Sequence, residues 1–112
     1  MEKANNSRKE LLLNKIAKCE ISRILKNLSL PNTHKKEIFE KYKKVLPHIG
    51  SEKIYSDPEI LVPLIIYLYC RLHNIVLDRY DLFENSRLTE KILDDFVLAL
   101  MDINLDDFSF LK

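Results

Sequence analysis

The sequence predicts an all-α protein, with five helices gathered around one central hydrophobic helix. Three observations point there. Gly50 is the single glycine in 112 residues, whereas sheet proteins and phosphate loops usually need more glycines for their turns. Apolar side chains return every three or four residues along most of the chain, the period of a helix with one buried face. From Leu64 to Cys70 the chain is apolar around most of a helical circumference, as expected of a helix enclosed by others. One hydrophobic core suits this length. The expected division is a polar N-terminal extension over 1–10, a helical domain over 11–101 and an acidic, aromatic tail over 102–112.

The elements follow in order. Residues 1–9 are polar, either frayed or the start of a helix. Leu13, Ile16, Ala17, Ile21, Ile24, Leu25 and Leu28 form the first stripe. Pro31 stops it, because proline disfavours helical geometry in Leu30 and lacks an amide donor. Asn32 or Thr33 can cap the second helix, whose stripe is Ile38, Phe39, Tyr42, Val45, Leu46 and Ile49. Its other face pairs Glu37 with Lys41 and Glu40 with Lys44 in the favourable order, and Pro47 and Gly50 end it. Residues 51–57 read as a loop in which Asp57 caps and Pro58 opens the third helix. Pro63 either kinks a helix already under way or displaces the main start to Val62. Asp78 caps a short fourth helix through Tyr80, Leu82 and Phe83. Thr89 caps the fifth, with Ile92, Leu93, Phe96, Val97 and Leu100 as its stripe.

The formal charge of +1 hides an asymmetry: residues 1–53 carry 13 Lys/Arg against 6 Asp/Glu, and residues 54–112 carry 5 against 11. Either the front half meets an anionic partner and the back half a cationic one, or the halves attract each other within one fold. Cys19 and Cys70 lie outside any CxxC pattern and read as buried, reduced thiols. The polar start lacks the form of a signal peptide, and the longest apolar run, Ile60 to Cys70, is too short for a bilayer. The expectation is an intracellular protein without a membrane partner.

Several stretches resemble a known family. The order Glu20-Ile21-x-Arg23-Ile24, then Leu28-x-Leu30-Pro31, then Ile38-x-x-x-Tyr42 is similar to the opening of a cyclin-like repeat of transcription factor B, the archaeal and eukaryotic TFIIB-type initiation factor. Ile66-Tyr67-Leu68-Tyr69-Cys70-Arg71-Leu72 resembles that family's ALYAACRL helix. A short turn (Asn74, Ile75, Val76) follows, then Asp81-Leu82, Ser86-Arg87-Leu88 and Lys91 at the family's positions. The likeness covers residues 20–101 and is closer to the first repeat, where the Cys-Arg pair is typical. It implies a five-helix cyclin-like bundle and a single-repeat relative in transcription. Departures are Leu64, Ile65, Ile66 and Leu68 in place of small alanines, Pro63 where the family has none, no CxxC zinc ribbon and no second repeat. The partners implied are RNA polymerase, TATA-binding protein or another regulator. The compartment is the cytoplasm if the protein is archaeal or viral, the nucleus if it is eukaryotic. Cell-cycle cyclins share the fold, which keeps kinase binding open.

Among residues that carry chemistry, lysines stand out. Lys35, Lys36, Lys41, Lys43, Lys44 and Lys53 cluster on the second helix and the loop after it. With Glu partners given to Lys41 and Lys44, the freer set is Lys35, Lys36, Lys43 and Lys53, a candidate duplex-DNA contact that neutralises phosphate without reading bases; the bland alternative is a solvated face. The fifth helix has the place of a recognition helix, but Asp94 and Asp95 repel phosphate and disfavour major-groove entry. In the tail, Asp106, Asp107, Phe108 and Phe110 are candidates for a protein partner or a second copy of the chain, unless the tail folds back on its own core. Catalysis has little to stand on. His34, His48 and His73 are scattered near helix ends, adjacent Asp pairs on a helix point apart, and no GxSxG, HExxH or phosphate-loop motif is present. The expectation is a binding module, not an enzyme, with no cofactor or metal. The alternative is an interaction or dimerisation module of the cyclin type with no nucleic-acid role.

Overall fold

The computed structural model describes residues 2–49 and 53–102, with side chains from Arg8 to Ile49 and from Lys53 to Ala99. Five α-helices lie within them: α1 Glu2–Asn27, α2 Lys35–Ile49, α3 Pro58–Leu72, α4 Arg79–Glu84 and α5 Glu90–Asp102. Turns of 3₁₀ helix, Asn32–His34 and Lys53–Ser56, lead into α2 and α3. There is no strand among the described residues. The expected all-α bundle is present, and α1 begins within the polar extension, at Glu2.

How each helix stops and starts is legible in the backbone bonds. α1 ends at Asn27, before Pro31 can act. The Leu30 amide donates to the Leu25 carbonyl at 2.9 Å and the Ser29 amide to that of Lys26 at 3.1 Å, with Ser29 in the left-handed region at φ 57°. That is a Schellman ending, a role usually given to glycine. α3 repeats it with Asn74 at φ 55° and the Ile75 amide on the Cys70 carbonyl at 2.8 Å. In both, the next residue, Leu30 or Ile75, turns back to pack against the core. A chain short of glycine thus reverses twice on Ser and Asn.

The helix starts follow the sequence in three cases and depart from it in one. Asp57 accepts from the Glu59 amide at 3.0 Å, Asp78 from that of Tyr80 at 2.9 Å and Thr89 from that of Ile92 at 3.2 Å. Neither Asn32 nor Thr33 caps the 3₁₀ turn into α2, which has Pro31 at its cap position and no side-chain bond there. Proline placement also differs from expectation. Pro47 lies inside α2, which continues to Ile49; Gly50, expected to stop it, is outside the described residues. Pro63 lies inside α3, so the helix is already running there and starts at Pro58. The lost hydrogen bond is tolerated where Pro63 itself is buried among apolar neighbours.

The core is built on α3. Pro58 and every residue from Ile60 to Ile66 are buried, as are Tyr69 and Cys70. α1 and α2 pack against it, supplying Ala17, Ile21, Ile24 and Leu25 from one side and Ile38, Tyr42 and Val45 from the other. Leu82, Leu88, Leu93 and Phe96 add to the same core, with Phe96 edge-on to Tyr55 at 5.5 Å. The hub is therefore the Pro58–Ile66 part of α3. Tyr67 and Leu68 are only half-buried, and Leu72 is exposed. Cys70 is buried and its thiol pushed up to about 11 by that burial. Cys19 is exposed, which corrects the expectation that both thiols are enclosed: the α1 stripe at Ala17 and Ile21 leaves position 19 on the outer side.

Candidate functional site

Residues near the start of α2 face two ways, and each side builds something. On one side is a groove of about 570 Å³. Lys35 and Lys36 line it from the first turn of α2 and Lys43 from two turns on, with Phe39 between them. Spacings of three and four residues place Lys36, Phe39, Glu40 and Lys43 on neighbouring positions of one helix surface. Lys18 closes the groove from α1, and Asn32 and Thr33 from the turn before α2. The Nζ atoms of Lys18 and Lys43 both stand 4.9 Å from the Phe39 ring centroid, within cation–π range. Four ammonium groups with a single carboxylate, Glu40, make the groove electropositive.

The structure gathers part of the sequence-predicted set and sets the rest apart. Lys35, Lys36 and Lys43 share the groove. Lys53 lies in the later 3₁₀ turn and does not line it. Lys43, expected to be free, pairs with Glu40 at 3.2 Å, whereas Lys44 was the expected partner; the closer three-residue step wins. Lys41 lies near enough to help depress the Glu37 carboxyl. Lys18 was missed, because it is 17 positions from Lys35 in the chain and only the packing of α1 on α2 brings it across. Phe39 was read simply as core. Asp94 and Asp95 are exposed on α5. Asp106, Asp107, Phe108 and Phe110 lie outside the described residues.

On the other side of the same turn is a polar knot. The Tyr69 hydroxyl donates to Glu37 Oε2 at 2.6 Å and lies 2.9 Å from His34 Nδ1. A phenol has one proton to give. With that O–H directed at Glu37, the Tyr69 oxygen can only accept from His34, so the hydrogen of their contact belongs to Nδ1. The His73 ring lies 4.2 Å from that of Tyr69. Two of the three histidines expected to be scattered therefore meet at one tyrosine.

Burial first, then the bond to Glu37, raises the Tyr69 hydroxyl far above an ordinary phenol. The same bond, aided by the positive field of His73, His34 and Lys41, holds the Glu37 carboxyl below the ordinary glutamate value despite some desolvation. Tyr69 therefore stays protonated as a donor, and Glu37 stays charged as an acceptor. The knot ties the turn before α2 to the last turns of α3. Lys35 and Lys36 lie between its two members His34 and Glu37 in the chain. Glu40 is the one acid that lines the lysine groove, while Glu37 stands on the neighbouring side with Lys36 and Lys41.

Other pairs are structural. Arg23 grips Glu20 with two nitrogens at 2.8 and 3.0 Å. Arg87, between α4 and α5, reaches Glu59 at 2.7 Å and Asp57 at 3.6 Å, at the start of α3. Both pairs are largely exposed and contribute little individually. No group of three or more His, Cys, Asp and Glu side chains suited to a metal occurs among the described residues, and no helix there is long and apolar enough to cross a membrane. Several apolar residues are exposed: Val76 at 95%, Tyr80 at 56% and Leu72 at 42%, all near the connection from α3 to α4. Comparison of the chain with protein families, with curated proteins and with solved structures finds no match.

Proposed function

We propose that the chain is a non-enzymatic cyclin-like binding module, a transcription-related regulator that meets the initiation machinery through protein contacts and holds nucleic-acid backbone in the groove on α2. The observation that carries the reading is the convergence of Lys18, Lys35, Lys36 and Lys43, from two helices, on one concave surface with a single carboxylate. Such a surface neutralises phosphates and releases counterions whatever the base sequence. The likeness of residues 20–101 to the first repeat of transcription factor B supports the placement in transcription, with RNA polymerase, TATA-binding protein or another regulator as the protein partner.

Salt titration tests it. Duplex DNA binding followed by fluorescence anisotropy is expected to weaken steeply between about 50 and 200 mM salt. Lys35→Glu with Lys36→Glu removes most of the binding and flattens the salt dependence, while Lys53→Glu, away from the groove, changes little. No binding of either duplex or single-stranded DNA by the unaltered protein at about 50 mM salt ends the nucleic-acid part of the proposal.

A second reading is a protein-interaction or dimerisation module with no nucleic-acid role, as in cyclin-type partner binding. It is favoured by Val76, whose side chain is almost fully exposed, beside exposed Leu72 and Tyr80. Sedimentation of the protein and of Val76→Asp separates this reading, since a contact centred there loses association on gaining a buried charge.

A further inference from the structure

Resting on the nucleic-acid reading of the groove, we propose that its preferred ligand is single-stranded nucleic acid, with an unpaired base laid against Phe39 and the adjoining phosphates held by Lys18 and the α2 lysines. A duplex makes no use of an aromatic ring at the bottom of a lysine-lined groove, because its bases are stacked inside and show only their edges. Proteins that take single strands join a basic track for the backbone to aromatic rings that accept a base face of any sequence.

Both parts occur here, in one groove. Phe39 is largely buried, 9% exposed, with the fully buried Tyr42 ring near-parallel to it, 13° between planes at a centroid distance of 6.2 Å, so a base meets the ring only where the lysine stems above it move aside. In the free protein the Lys18 and Lys43 ammonium groups stand over Phe39. Lys43 is already paired with Glu40 at 3.2 Å, so Lys18 is the ammonium group that a phosphate draws aside most readily. Its long, flexible stem allows that movement while the base takes its place. A groove of about 570 Å³ falls in the range of small-ligand sites, about 300–1,000 Å³, room enough for a nucleotide unit. Asn32 and Thr33, both exposed at that rim, offer hydrogen bonds to base edges or sugar. Glu40 can accept from an exocyclic amine and keeps a phosphate from settling beside it.

The experiment compares a labelled oligothymidine with a duplex of equal length, by anisotropy across a salt series, using the full chain. The single strand is expected to bind at least about fivefold more tightly, in line with the lower end of base–aromatic stacking. Phe39→Leu keeps an apolar side chain at the core edge. It should lower single-strand affinity about fivefold or more while leaving duplex affinity and the salt slope unchanged. Lys18→Gln, a surface change that does not threaten folding, should make the single-strand slope shallower by about 0.7, one phosphate contact's worth. A duplex bound as tightly as the single strand, or a folded Phe39→Leu with undiminished single-strand affinity, overturns this inference and leaves the broader nucleic-acid reading standing. Should Phe39→Leu fail to fold, the strand preference and the Lys18→Gln slope decide together, and absence of either overturns the inference. No binding to either ligand removes both readings.

Discussion

Tyr42 and Tyr69 stand in two unlike regions of one core. Tyr42, on α2, points into the apolar centre. Its residue is fully buried, its hydroxyl has no hydrogen-bond partner among the described residues, and burial, aided by the Asp57 charge, pushes that hydroxyl up to about 12. Tyr69, on α3, is almost as buried but reaches the rim, where Glu37 and His34 meet its oxygen. The same side chain is packing in one place and a polar clasp in the other. α3 shows this division along its length: Ile60 to Ile66 are enclosed by apolar neighbours, whereas from Tyr67 to Leu72 buried Tyr69 and Cys70 alternate with half-buried Tyr67 and Leu68 and exposed Arg71 and Leu72. The first part is all packing, and the second carries the polar clasp to Glu37 and His34.

Substitutions can break that contrast at graded cost. The largest effect is expected in the enclosed part: Leu64→Ala, at a fully buried position, should lower stability by about 2–5 kcal/mol through lost transfer energy and the cavity left behind, read from urea unfolding. Tyr69→Phe should cost less, about 1–2 kcal/mol, since Glu37 regains water at the rim. That variant also carries a pH signature. Glu37 has a lowered pKa in the folded state, so the stability from its bond is complete above the ordinary glutamate pKa, about 4.3, and is lost as pH falls through the lower folded value. The melting temperatures of the wild type and Tyr69→Phe should therefore converge as the medium is acidified below about pH 4. A gap that stays constant would mean that the clasp is not charged.

Smaller changes sharpen the comparison. Ser29→Gly relieves a left-handed residue with a Cβ and should stabilise by about 0.5–1 kcal/mol. Asn74→Gly should do less, since asparagine tolerates that region better. Tyr42→Phe should have the smallest effect, between zero and about 1 kcal/mol of stabilisation, as a buried hydroxyl without a partner costs free energy to enclose. A marked loss in Tyr42→Phe would reveal a hydrogen bond to that hydroxyl and end the contrast with Tyr69.

The helices and most of the core were legible in the sequence. Periodicity of three and four residues is local information, and it placed Ile21, Ile24 and Leu25, the α2 stripe from Ile38 to Ile49, and Leu93 with Phe96. The caps at Asp57, Asp78 and Thr89 are likewise local, since each serves an amide two or three residues on. Local rules were less secure where one signal competed with another. Pro31 reads as the end of α1, but the backbone turns earlier, at Ser29. Pro47 reads as the end of α2, but near a helix C-terminus the structure accommodates the missing amide bond. A free thiol is so often buried that Cys19 reads as enclosed, although its angular position on α1 is outward.

The candidate site was legible only in part, for a physical reason. Helical spacing alone concentrates lysines on α2 and puts Lys36 and Lys43, seven apart, on one surface. It takes the packing of the helices to add Lys18, to leave Lys53 apart, and to bring His34, Glu37 and Tyr69, spread over 35 positions, to one hydroxyl. Such contacts depend on how α1, α2 and α3 cross. The crossing is set by the packing of whole side-chain surfaces, which no short stretch of sequence encodes.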